Sequence, residues 1–236
     1  MTMSEELRWE GLRSRRHPPG RGTEVRVCPA RRAGRRTAWL AAALLLAGCH
    51  VTRAPDFSYF RLPRPAEPVV APAPVFDVPV VVDTFAADGL YADQSLVYAT
   101  DASAHELRQY HYQLWVDPPT RLLQRRLIVQ LRHAKLAALV TDSLPASRPA
   151  LRIRGVILRL DRVPLAGGGY EVAVALKLRA DRADGTPLID ELYATRETAA
   201  DARLAGTVDA YGVAIDRLLA GFQADLVARA EVERAR

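Results

Sequence analysis

The stretch LRIRGVILRLDRVPLAGGGYEVAVALKLRADRADGTPLIDELYAT, residues 151–195, decides the fold. It holds three β-runs parted by two tight-turn signals. Leu151 to Val163 reads as a long strand whose apolar alternation changes face near Gly155, as a bulge would cause. Gly167 to Gly169 turns the chain. Tyr170, Val172, Val174, Leu176 and Leu178 then share one face, with Glu171, Lys177 and Arg179 on the other. Asp184-Gly185 is a second hairpin signal, and Leu188 to Thr195 returns. Such a meander has one face for a core and one for water.

Both flanks supply helices to cover the apolar face. Downstream, Leu204, Val208, Tyr211, Ile215, Leu218, Phe222 and Leu226 form a stripe on a helix expected over roughly 201–233. The stripe ends at Leu226, so the last turns are expected to project beyond the sheet. Upstream, Asp117-Pro118-Pro119 reads as a helix start, Asp capping free N–H groups and Pro occupying the first turn. Leu123, Leu127, Leu131, Ala134 and Ala138 follow at spacings of three and four, and Pro145 and Pro149 mark the exit. Earlier strands are expected at Phe57–Leu62, Val75–Asp83, Leu96–Thr100 and Gln109–Val116. Five prolines within 63–74 make that segment an extended loop. The expected fold is a single α/β (α+β) two-layer domain: a largely antiparallel sheet of about six strands with two amphipathic helices on one face.

Charge is unevenly spread over the 236 residues. The net is +6, but ten of the 33 basic residues and four of the 27 acidic ones lie in 1–48, leaving 23 of each in the remainder. A balanced domain argues against a nucleic-acid partner, which needs a positive stripe. The basic head has a different use. Arg31, Arg32, Arg35 and Arg36 precede an apolar run, Ala38 to Ala47, that suits a signal peptide and is too short to span a bilayer. Leu46-Ala47-Gly48-Cys49 then matches the lipobox of bacterial lipoproteins, in which the cysteine thiol is acylated and the chain is cut before it. The expected organisation is therefore a removed extension and signal over 1–48, a lipidated tether over 49–56 and one domain over 57–236. Translation is expected to start at Val25 or Val27, because the preceding head lacks an apolar period. His50, where inner-membrane retention favours Asp, points to the outer membrane in a diderm.

Chemistry is sparse in the mature sequence. It contains no GxSxG, HExxH, P-loop or CxxC motif. Two cysteines, Cys28 and Cys49, are too few for a disulfide scaffold. His105 and His111 lie six apart without a surrounding ligand pattern, and Asp190-Glu191 alternate across a strand, so neither pair reads as a metal or acid–base site. Trp115 reads as core. The site residue predicted is Cys49 alone, for lipidation, with no catalytic, metal-binding or cofactor-binding residue and no cofactor beyond the covalent lipid.

Three segments carry a resemblance. Tyr59-Phe60-Arg61-Leu62 resembles a "YYtL" strand, Gly89 to Tyr98 a "yLdrpqivyr" segment, and Tyr112 to Pro119 a "W-aepl" element leading into a Leu-rich helix. Ala92, Ser95 and Val116 depart from those patterns. In order and spacing, behind a lipobox, they resemble the ABC-type transport auxiliary lipoproteins, the paraquat-inducible protein C-like lipoproteins. The resemblance covers residues 57 to about 230. It implies a non-enzymatic lipoprotein on the periplasmic face of the outer membrane. Its implied partner is the periplasmic MCE (mammalian-cell-entry) protein of an ABC/permease system moving lipid or an apolar solute between membranes. An outer-membrane assembly factor or scaffold that carries no lipid is the alternative. Oligomeric state, including a homo-oligomer, is left open.

Overall fold

A computed structural model describes residues 55–235 apart from 66, 68, 69, 88 and 146; the head, the signal segment and Cys49 lie outside the described residues. The described strands are β1 (Ser58–Phe60), β2 (Val80–Val82), β3 (Ala86–Ala87), β4 (Ser95–Ala99), β5 (Leu107–Trp115), β6 (Val140–Thr141), β7 (Leu151–Pro164), β8 (Tyr170–Asp181) and β9 (Pro187–Thr198). Helix α1 (Pro119–His133) follows β5, and α2 (Leu204–Arg234) follows β9.

The meander is the centre, as its alternation requires. β7 pairs antiparallel with β8 from Arg152–Asp181 to Pro164–Tyr170, and β8 pairs antiparallel with β9. The other edge of β7 takes three short parallel strands end to end: β2 at Leu151–Ile153, β3 at Val156–Ile157 and β4 at Asp161–Arg162. β5 extends from β4, and β1 closes that side. The long pairings are thus antiparallel, with a parallel rim of short strands.

Details of the sequence reading change. The bulge falls between Ile157 and Arg159, not at Gly155. Leu151, Ile153, Gly155 and Ile157 hold one buried face, and the alternation resumes at buried Leu160 after exposed Leu158. Gly155 instead seats Phe85: a Cβ there would lie 2.5 Å from the Phe85 ring. Asp117 does not cap α1. Pro118 occupies the N-cap without a side-chain bond, and the Asp117 carboxylate accepts from Arg125 Nη1 at 2.7 Å.

Both helices bury their stripes in one core with the inner face of the meander, among them Leu123, Leu127 and Leu131 of α1 and Ile215, Leu219 and Phe222 of α2. Trp115 is buried and meets Tyr211 edge to face, with ring centroids 5.4 Å apart. The helices also bind each other: Arg126 Nε contacts Asp216 Oδ1 at 2.6 Å, and Gln130 Nε2 donates to Gln223 Oε1 at 3.1 Å. Arg126 Nη1 further donates to the Pro63 carbonyl at 2.7 Å, pinning the start of the Pro-rich loop.

The end of α2 does not project freely. Ala230 is buried, Arg182 pairs with Glu233, and Arg234 donates to the Val75 carbonyl. At about 1.5 Å per residue the 31-residue helix runs beside the meander and ends bound to the strap that precedes β2.

Candidate functional site

The Pro-rich strap, the end of α1 and the last turns of α2 enclose a groove. α1 ends in a Schellman turn: Leu136 N–H donates to Leu131 O at 3.0 Å and Lys135 N–H to Arg132 O at 3.1 Å, with Lys135 at φ +52°. The carbonyls beyond it take their donors from the strap, Ala71 N–H to Ala134 O and Val75 and Phe76 N–H to Leu136 O. Among the described residues of the strap, Pro63, Pro65, Pro72 and Pro74 have no N–H to give to a ladder. The result is an opening of about 620 Å³ lined by Ala71, Pro72, Val75, Leu136, Ala224 and Val227, with Gln223, Glu231 and Arg234 among its polar groups. The size is that of a small-molecule pocket, and its chemistry suits an apolar segment or chain. Sequence reasoning gave an extended Pro-rich loop and a projecting helix end as separate features; their meeting in one groove rests on contacts more than 150 residues apart, Arg234 to Val75 among them.

A second surface lies on the first strand. Phe57 and Tyr59 are exposed, and Phe57 meets Tyr112 edge to face at 5.5 Å. These aromatic rings lie close to the first described residue, Pro55.

The buried polar groups are structural. Asp161 is fully buried, held by the Arg159 fork at 2.9–3.1 Å and by Tyr91 Oη, which donates at 3.0 Å. Burial first, and then the Asp161 charge and hydrogen bond, push the Tyr91 phenol above its ordinary value. Tyr193 is raised likewise by burial and by its bond to Asp225 Oδ2 at 2.6 Å. Arg162 lies over the Tyr170 ring and donates to Tyr110 Oη and the Ala202 carbonyl. All three tie one element to another.

The residues weighed for chemistry are scattered. His105 is exposed in the β4–β5 hairpin, and His111 is exposed on β5. Asp190 pairs with Lys177 at 3.2 Å and Arg179 at 3.4 Å, while Glu191 is exposed on the same strand. Among the described residues no three His, Cys, Asp or Glu side chains gather as a metal site, and no helix is long and apolar enough to cross a membrane. Cys49, the predicted lipidation site, lies outside the described residues.

The fold is a mixed α/β domain, a long meander with two helices packed on its inner face. Residues 60–221 match the family model of the ABC-type transport auxiliary lipoprotein component, and the chain belongs to that family. Solved structures share the architecture. A Xanthomonas campestris protein of the DUF330 family superposes with a TM-score of 0.64 at 13% identity, covering 76% of this chain and 100% of its own. An uncharacterized protein superposes at 0.50 with 16% identity, over 77% of this chain and 99% of its own. At such identities the likeness is one of fold. No protein of curated function matches the chain.

Proposed function

We propose that this protein is a non-catalytic lipoprotein, anchored through Cys49 on the periplasmic face of the outer membrane, that docks the periplasmic MCE protein of an ABC/permease transport system for lipid or an apolar solute. The observation that carries this reading is the family match over residues 60–221, which takes in the strap, all of α1, the meander and α2 as far as Gly221. Two surfaces support it: an apolar groove at the strap and exposed aromatic rings on the first strand. Trp and Tyr side chains favour membrane interfaces, so Tyr59 and Tyr112 with Phe57 suit a domain held close to lipid headgroups. Function then resides in surfaces, not in one reacting side chain.

The test is co-purification of the tagged full-length protein from detergent-solubilised envelopes of its own organism. The expected partner, identified by mass spectrometry, is an MCE-domain protein, recovered with the protein in outer-membrane fractions. Recovery in the inner membrane alone, or enrichment of outer-membrane assembly machinery without any MCE protein, would reject the docking role.

A further inference from the structure

At the end of the meander opposite the β7–β8 turn, loop 147–150, the start of β7 and the β8–β9 turn surround a polar pocket of about 300 Å³. Four guanidinium groups line it, from Arg148, Arg152, Arg154 and Arg182, against one lining carboxylate, Asp181. The cations are held from behind. Arg152 Nη1 donates to Asp83 Oδ1 at 2.6 Å, Arg154 Nη2 stands 3.1 Å from Asp181 Oδ2, and Arg182 pairs with Glu233. Asp83 and Asp181 are shared goods: Asp83 also faces Arg154 at 3.9 Å, and Asp181 also accepts from Arg179 at 2.8 Å. Nearby Asp184 accepts two bonds from Thr186 within its own turn. Arg148 is exposed and pairs with no carboxylate among the described residues. Arg148 therefore keeps its fork for a further acceptor, and Arg154, 3.1 and 3.9 Å from carboxylates it shares with other arginines, keeps part of its own.

We propose that this pocket binds a phosphate group. A guanidinium fork donates to two oxygens at once, and a single carboxylate satisfies one fork; the several oxygens of a phosphate accept from two or three. Arg148 and Arg154 come from different segments and border one concavity, as a phosphate site requires. The phosphate is carried either by the headgroup of an anionic phospholipid or by a small soluble ester. The site stands on its own geometry, whatever partner the domain docks.

The experiment uses the full chain with Cys49→Ser, so that it carries no lipid of its own. Inorganic phosphate is titrated calorimetrically at constant ionic strength. Saturable binding is expected, weakened roughly tenfold by Arg148→Gln, the worth of one charge-assisted contact. Arg148 holds no ion pair among the described residues, so the thermal midpoint of that variant stays unchanged. Arg125→Gln, on the exposed face of α1, leaves phosphate binding unaltered. Co-sedimentation with phosphatidylglycerol vesicles but not phosphatidylcholine vesicles, lost in Arg148→Gln, assigns the phosphate to a headgroup. Phosphate binding without vesicle binding assigns it to a soluble ester, and both results support the site. Absence of saturable binding, or equal weakening by Arg125→Gln, overturns it. Tighter Arg148-dependent binding of a hexaglutamate peptide than of phosphate overturns the phosphate assignment in favour of an acidic protein segment.

Discussion

Gly155 accepts no side chain because the Phe85 ring fills the place of its Cβ. Both lie in the buried core, β7 on one side and the β2–β3 link on the other, so neither backbone yields easily. Gly155→Ala is expected to destabilise the protein by about 1–3 kcal/mol, as overpacking does, read from the denaturation midpoint in urea. Trimming the ring in Gly155→Ala/Phe85→Leu should recover part of the loss relative to Gly155→Ala; equal stability of the two would remove Phe85 as the cause. Tyr91 gives a pH dependence. Its folded phenol keeps its proton above the unfolded value near 10, through burial and the Asp161 carboxylate. That contribution is complete below about pH 10 and is lost as pH rises from there toward the folded value. Alkaline unfolding followed by circular dichroism should therefore become shallower in Tyr91→Phe, which has no proton to lose.

At the scale of elements, the end of α1 is held by a Schellman turn whose left-handed position is a lysine. Lys135 sits at φ +52°, where a Cβ is costly and glycine is at ease. Lys135→Gly is expected to raise stability by about 0.5–1 kcal/mol, and a loss of stability would mean that the lysine stem packs usefully there. The end of α2 behaves differently from its sequence pattern. The stripe reads as finished at Leu226, yet Ala230 is buried and Glu233 and Arg234 reach the β8–β9 turn and the strap. Truncation after Leu226 should lower stability by roughly 2–3 kcal/mol, about 4–12 °C in the thermal midpoint. An unchanged midpoint would show that these contacts contribute nothing.

For the whole molecule the proposed anchor rests on Cys49. Cys49→Ala is expected to abolish incorporation of labelled palmitate and to release the protein from membranes or stall it at export. Label and flotation that survive the substitution would refute the anchor. A protein that works through surfaces also predicts what fails to matter. Alanine at His105, His111, Asp190 or Glu191, each exposed and, among the described residues, outside any metal-type cluster, should leave envelope resistance within several-fold. A thousand-fold loss from one of them, with expression and partner binding intact, would make the protein an enzyme.

By itself the sequence determined the meander, the two stripes and the family, and it supplies the lipobox motif on which the proposed anchor rests. Each is written in local order: alternation at a period of two, apolar residues at three and four, Gly and Asp-Gly turns, and small residues before a cysteine. Tyr170 to Leu178 could only be a half-buried strand, and Leu204 to Phe222 only a helix with one wet face. Other features depend on residues far apart in the chain. The seat of Phe85 on Gly155, the Arg126–Asp216 bond between helices, and the pairing of Arg182 with Glu233 join positions 51 to 90 residues apart. Gly155 looked like a bulge because a glycine in a strand signals either a kink or a close neighbour, and no local pattern separates the two. Asp117 looked like a cap because its type and place are right for one, while its carboxylate was taken by Arg125, eight residues on. The strap groove and the arginine pocket were legible only after folding, since each gathers side chains from segments whose distance in space no periodicity encodes.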